Sequence, residues 1–374
     1  MSRWRSSRGT ASPEQGLLQH AAGAARVDFV AATKTYPGAP AAALDGLTLE
    51  IPAGEICVLV GESGCGKTTA LKLVNRLVEP SSGDVLLDGE SVRDVAKPEL
   101  RRRIGYVIQS VGLMPHMTVE ENAALTPRLA GREKADARAR ARELLSLVGL
   151  DPAQFGGRYP AQLSGGQQQR VGLARALAAD PRLMLMDEPF SAVDPIVRER
   201  LQDDFLRLHR ELPKTVLFVT HDIDEAIRMG TRIAVLREGK LVQVASPAEL
   251  LARPADDFVA RFVGADRALK ALALLRLGDL VLEAPPAGAL NGGGPDGADG
   301  SGPGAADGPV RALPRLGSEQ SAREALSALI EAGAEAALVV RPGGEVAGAV
   351  SVASLSAALR AARALGQPAA GETA

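Results

Sequence analysis

Cysteine is scarce, charge is nearly balanced and long apolar runs are missing, and each shortage narrows what this chain can be. Only Cys57 and Cys65 occur among 374 residues. They lie too close together on a strand-like run for a disulfide framework, which points to a reducing compartment. Lys and Arg number 43 against 45 Asp and Glu, a formal charge of −2. That balance gives no electrostatic footprint for nucleic acid, and no nucleic-acid partner is expected. No stretch approaches the ~18 uncharged apolar residues of a spanning helix. The opening MSRWRSSRGTASPEQGLLQH has basic residues without an apolar core, unlike a secretory leader. A cytosolic chain is therefore expected. With 46% hydrophobic and 24% charged residues the composition is that of a soluble globular protein, and the length suggests two domains or a little more.

Residues 1–25 are rich in Ser, Arg, Ala and Gly without hydrophobic period, and read as a tail with no fixed structure. Over 26–264 short β-type runs (Ile56–Val60, Leu183–Met186, Val216–Val219) alternate with helical segments, the pattern of an α/β core with a mostly parallel sheet. Asp88-Gly89 after Val85–Leu87, and Glu238-Gly239 between Ile233–Leu236 and Leu241–Val244, mark antiparallel hairpins. The stretch GREKADARARARELLSLVGL carries helix formers and one apolar edge (Leu144, Leu145, Val148), a helical insert in the core. A connecting segment, 265–284, leads to PPAGALNGGGPDGADGSGPGAADGP (285–309), a linker too poor in apolar residues to order itself. Its r.m.s. reach is roughly 25–30 Å. A small α/β module follows over 310–362, with a helix at Ala322–Glu331, strands at Ala337–Val340 and Val346–Val350 and a Pro342-Gly343-Gly344 turn between them, then a tail at 363–374.

The chemistry begins at Gly61-Glu62-Ser63-Gly64-Cys65-Gly66-Lys67-Thr68-Thr69, which joins the strand Ile56–Val60 to a helical run over Ala70–Leu77. This is the G-x-x-x-x-G-K-[ST] pattern in its required strand, loop and helix context. Glycines let successive N–H groups turn inward on phosphate oxygens, and the helix N-terminus adds its positive dipole end. Lys67 supplies a point charge to the β- and γ-phosphates, and the Thr68 hydroxyl is placed for Mg²⁺. The apolar run Leu183–Met186 ends in Asp187 and Glu188. Asp187 is expected to hold Mg²⁺ directly or through water, and Glu188 is the candidate general base that orients the attacking water. Lys67 and the helix N-terminus would favour a reactive Cys65 thiolate, or else the residue is a buried, inert thiol.

Between these elements stands Leu163-Ser164-Gly165-Gly166-Gln167, running into a helix over Val171–Ala178. This resembles the LSGGQ signature of ATP-binding cassette (ABC) ATPases, and 26–264 then follows that family's order. The resemblance implies a P-loop NTPase cassette with a mostly parallel core sheet, an antiparallel β subdomain and a helical subdomain. It implies ATP hydrolysis with Mg²⁺. Tyr36 matches the aromatic that stacks on adenine, and Gln109 matches the Q-loop glutamine, counted with both the catalytic and the metal-binding groups. Ser191-Ala192-Val193-Asp194 resembles the D-loop, and His221 matches the switch histidine. In this family two copies associate head to tail, and Ser164, Gly165, Gly166 and Gln167 of one would cap the γ-phosphate held by the other.

GYVIQSVGLMPHMTV (105–119), the THDIDEA of Thr220–Ala226 and SPAELLARPADDFVARFVG (246–264) look like the importer ATPases for glycine betaine, choline and related quaternary amines. That branch implies a separate membrane permease, an extracytoplasmic binding protein reached through it, and a peripheral place on the cytoplasmic face of the membrane. Leu113, Met114 and Met117 would receive a coupling helix of the permease, or else pack as ordinary core. The alternatives are an importer for another small solute, or a non-transport ABC ATPase. Residues 310–360 resemble one cystathionine-β-synthase (CBS) repeat, with Ser354 where many such repeats carry the ribose-binding Asp. Leu275–Ala284 is too short for a full first repeat, so a vestigial or dimerisation module competes with a sensor.

Overall fold

The computed structural model describes residues 23–108, 112–191, 193–286 and 313–365, in two compact units divided between Pro247 and Ala248. In the first, the strands are β1 (Val27–Lys34), β2 (Leu44–Ile51), β3 (Ile56–Val60), β4 (Ser82–Leu87) and β5 (Glu90–Ser91). They are followed by β6 (Ile104–Val107), β7 (Leu183–Asp187), β8 (Thr215–Val219), β9 (Arg232–Arg237) and β10 (Lys240–Ala245). Six of them form a sheet in the order β10-β9-β3-β8-β7-β6. All its pairs are parallel except the edge pair of β9 and β10. Every residue of β3 and β8 is buried, as expected of parallel strands covered on both faces. Cys57 lies mid-strand in β3, and burial pushes its thiol up to about 12; both cysteines are free.

The remaining four strands make an antiparallel sheet, β2-β1-β4-β5. Both hairpins turn where Asp-Gly and Glu-Gly stand in the sequence. Asp88 and Gly89 have φ of 53° and 82°, and Glu238 and Gly239 have 49° and 80°, the paired positive φ that matches the twist of the strands. A helical layer intervenes between β6 and β7. Its longest members are the helices Lys134–Leu147 and Gly165–Leu177, and Leu144, Leu145 and Val148 are buried.

The expected N-terminal tail is too long by three residues. Ala24 and Ala25 are buried, and Ala25 N–H donates to the Arg182 carbonyl at 3.1 Å while Arg182 Nη2 donates back to Ala24 O at 3.1 Å. Residues 1–22 lie outside the described residues.

The second unit corrects the C-terminal division. β11 (Arg315–Gly317), β12 (Ala336–Val340) and β13 (Val346–Ser351) form one sheet in that order, the first pair parallel and the second antiparallel. The helix Ala322–Ala332 starts on a Ser321/Glu324 capping box and ends at Gly333 with φ 57°. The segment 265–284, expected to be a mere connection, is part of this body. Its helix Arg267–Leu274 and the turn after it give Leu272 and Leu277 to one core with Leu316, Leu329, Val339 and Leu355. Glu283 bridges Ala349 through reciprocal N–H to carbonyl bonds of 2.9 and 2.8 Å. The final helix runs to Leu365, past the boundary drawn at 362. The part of the expected linker from 287 to 309, and residues 366–374, lie outside the described residues.

This packing fixes where the chain can be cut. A chain ending after Gly264 is expected to keep soluble expression. One ending at 284 strips the cover from Leu272 and Leu277 and should aggregate. Size-exclusion chromatography compares the two; a monodisperse 284 product would contradict the shared core.

Candidate active site

The phosphate loop is shaped by what surrounds it. Gly61 has φ 153° and Gly66 φ 107°. A Cβ at Gly61 would overlap the Leu236 carbonyl oxygen, and one at Gly66 would overlap Ala43 O and lie 2.8 Å from Leu44 Cδ2. Only glycine lets the loop lie this close to β9 and to the start of β2. The helix Lys67–Val74 begins on Gly66 with no side-chain cap, so its leading N–H groups remain directed at the loop, as an anion site requires. Lys67 is buried, and its Nζ donates to Gly61 O at 2.7 Å and Glu62 O at 2.9 Å. Ser63 and Gly64 are exposed, and Thr68 and Thr69 half-buried.

Of the two readings of Cys65, the structure favours the buried, inert thiol. Its side chain is 4% exposed, with Lys67 Nζ 3.7 Å from Sγ. Maleimide is expected to label native protein far more slowly than unfolded protein, in mass-spectrometric time courses. Equal rates would place the thiol at the surface.

β7 delivers the two carboxylates. Its parallel register sets Asp187 opposite Val219 of β8, and Glu188 N–H donates to Val219 O at 2.9 Å. Thr68 Oγ1 donates to Asp187 Oδ1 at 3.1 Å, which brings together the two described residues expected to hold a cation. Burial, reinforced by the Glu188 charge, raises the Asp187 carboxyl above its ordinary range, against the opposing effects of Thr68, Lys72 and Lys67. Lys72 was not singled out from the sequence; it stands one helical turn after Thr68, which is the signal that could have found it. Glu188 itself has φ 45°, held by Ser191, whose Oγ donates to Glu188 O at 2.9 Å. His221 Nδ1 lies 3.1 Å from Glu188 Oε1, the imidazole 61% and the carboxylate 23% exposed.

Lys67, Thr68, Asp187, Glu188 and His221 thus meet at the carboxyl ends of β3, β7 and β8, where open α/β sheets bind their ligands. The other candidates are carried by other elements. Ser164 caps the helix Gly165–Leu177: Gln167 N–H donates to Ser164 Oγ at 3.3 Å and Ser164 N–H to Gln167 Oε1 at 3.0 Å. Ser164 and Gly165 are exposed, and Gly166 faces the helix Pro195–Glu211 so closely that a Cβ would touch Val197 at 3.0 Å. Asp194 is exposed just ahead of that helix. Tyr36 is half-buried, with Lys34 Nζ 5.3 Å from its ring centroid. Gln109 and Ala192 lie outside the described residues.

The donor set fits a nucleotide triphosphate and a hard divalent cation. It offers one buried ammonium, uncapped helix N–H groups, and a hydroxyl and carboxylate already in contact.

Residues 44–191 match the ABC transporter family. The osmoprotectant import ATP-binding protein OsmV of Salmonella typhimurium is 56% identical over 248 residues, 66% of this chain and 65% of that one. The glycine betaine uptake system ATP-binding protein YehX of Escherichia coli is 48% identical over 64% of this chain and 78% of its own length. The chain thus spans slightly less than two thirds of the first relative. Among solved structures, the dimeric ATP-binding cassette MJ0796 in a post-hydrolysis state with ADP and Pi is 36% identical. It has a TM-score of 0.54 and covers 59% of this chain and 98% of its own. The loop, signature and paired carboxylates all fall within the matched residues, and YehX, 48% identical, is covered over 78% of its length: the chain belongs to the ABC transporter family.

Proposed function

We propose that the protein is the ATP-hydrolysing subunit of an ABC importer for glycine betaine, choline or a related quaternary amine. The observation that carries the hydrolytic reading is the contact of Glu188 with His221 beside the Thr68 and Asp187 pair. The cargo reading is supported by the relatives, whose names describe osmoprotectant and glycine betaine uptake. Thr68 and Asp187 would hold Mg²⁺, with Gln109 as a further ligand. When bound, the ion offsets charge on the phosphate oxygens. Lys67 and the loop N–H groups bind the phosphate chain and fix it in line. Glu188 accepts a proton from the water whose oxygen bonds to the γ-phosphorus as the bond to the bridging oxygen breaks, releasing ADP and phosphate. His221 holds the Glu188 carboxylate in place. Tyr36 would stack on adenine.

Ser164 to Gln167 stand at the start of the helix Gly165–Leu177, and Asp194 just ahead of the helix Pro195–Glu211. A second copy, docked head to tail, would bring them to the γ-phosphate, an arrangement supported by the dimeric state of the MJ0796 cassette. Among the described residues no helix is long and apolar enough to cross a membrane, so transport would need a permease chain, itself fed by an extracytoplasmic binding protein. Met114 offers a surface for the permease. The buried Asn122 pins its loop, accepting from Met114 N–H at 2.7 Å and donating to Met114 O, Met117 O and Thr118 O at 3.0–3.1 Å, which leaves the Met114 side chain outward and 38% exposed. The protein would then sit peripherally on the cytoplasmic face.

The C-terminal body would be a CBS-like module without nucleotide sensing. Ser354 Oγ is already engaged with Ser351, accepting from its N–H at 2.8 Å and lying 3.0 Å from its carbonyl.

The test has two arms. Purified protein should release phosphate from ATP only with Mg²⁺, and disruption of its gene should abolish accumulation of labelled glycine betaine, choline or carnitine in osmotically stressed cells. No phosphate release overturns the enzyme; unchanged uptake of all three overturns the cargo.

A further inference from the structure

Two buried polar side chains outside the phosphate site join the loop that carries His221 to the helix that follows Asp194. Glu225 lies on the helix Ile223–Met229 and is 8% exposed; Gln202 lies on the helix Pro195–Glu211 and is 4% exposed. Gln202 Nε2 donates to Glu225 Oε1 at 2.9 Å. Thr220, the buried neighbour of His221, accepts through Oγ1 from Asp222 N–H at 3.0 Å. On the same face Arg198 Nη2 donates to Val193 O at 3.1 Å, with Nη1 4.0 Å from Asp222 Oδ2. Asp222 in turn caps the Glu225 helix through Asp224 and Glu225 N–H groups.

A carboxyl buried between two helices is costly to folding unless bonded, and this one contributes nothing to the phosphate pocket directly. The Gln202 bond ties the Glu225 helix to the helix that Val193 and Asp194 precede. Asp222, which caps the Glu225 helix and bonds Thr220, passes that placement to the backbone of His221 between them. We propose that Glu225 and Gln202 are positioning residues, which set His221 against Glu188 and make that contact depend on the placement of the Val193-Asp194 segment. The inference rests on the hydrolytic reading above. Misplacing a catalytic contact by about 1 Å can cost up to ~10²-fold in rate, so removal of either partner acts on turnover while the phosphate loop, built on β3, keeps its grip on nucleotide.

Steady-state hydrolysis by the full-length chain tests this. Glu225→Ala and Gln202→Leu are expected to lower kcat roughly tenfold or more, with KM for ATP within about twofold. Glu225→Gln, which keeps an acceptor for Gln202, should recover most of the loss. The deciding measurement is the cycle with His221→Ala: in that background Glu225→Ala should lower kcat no further, because its effect passes through His221. An equal loss with and without His221, or unchanged kcat in Gln202→Leu, overturns the proposal. If Glu225→Ala does not fold, Gln202→Leu and Glu225→Gln carry the same cycle. Wild-type protein without ATPase activity would overturn the hydrolytic reading instead, before any variant is compared.

Discussion

Glu188→Gln is expected to lower phosphate release by about 10² to 10⁴-fold, the range typical of lost general-base assistance, while ATP still binds. The carboxylate touches His221 at 3.1 Å, whereas the groups proposed to grip phosphate stand on a different loop, around Lys67. Binding and turnover are therefore separable by this one change of an oxygen for an amide. With ATP held and uncleaved, the head-to-tail pair should accumulate, visible as an ATP-dependent shift to dimer in size-exclusion chromatography with light scattering. Hydrolysis near the wild-type rate would remove Glu188 from the catalytic role.

Lys67→Ala should act on the other half of that division. Lys67 Nζ is buried and bonded to two loop carbonyls, so its removal takes away both the cation proposed to meet the phosphates and the clasp that closes the loop. Losing a buried charge partner typically costs 2–5 kcal/mol or about that. At least about a hundredfold weaker ATP binding is thus expected, some 2.7 kcal/mol. Isothermal calorimetry with ATP reads it directly, and a Kd within threefold of wild type would place the nucleotide elsewhere.

These two sites were legible in the sequence because their chemistry is local. A glycine loop between strand and helix, or two acids at the end of an apolar strand, states its geometry within about ten residues. So do Asp88-Gly89 and Glu238-Gly239, since positive φ at consecutive positions has few solutions. What escaped depends on partners distant in the chain. Ala24 and Ala25 sit in a polar, glycine-containing stretch and are buried only because Arg182 comes back to them. The segment 265–284 resembles a connection until Glu283 pairs with Ala349 and Leu277 N–H bonds Gln320 O at 2.9 Å. Glu225 lies inside the THDIDEA stretch, yet nothing about an acid on a helix announces that its partner is a glutamine 23 positions earlier. A charged side chain three residues after the capping Asp222, on the face that carries Ala226 and Met229 inward, was the available hint.

Residue 188 also sets stability and activity against each other. A non-glycine residue at φ 45° costs roughly 1–2 kcal/mol of backbone strain, and its carboxylate adds to the burial that holds Asp187 above its ordinary protonation range. Because that shift is upward, the folded chain binds protons more readily than the unfolded one, and the penalty is felt as pH rises above the ordinary carboxylate range. On backbone strain alone, glycine would be favoured at this position over glutamate. A laboratory screen for thermostable variants of this protein would be drawn toward Glu188→Gly, and its best survivors would be those that no longer work.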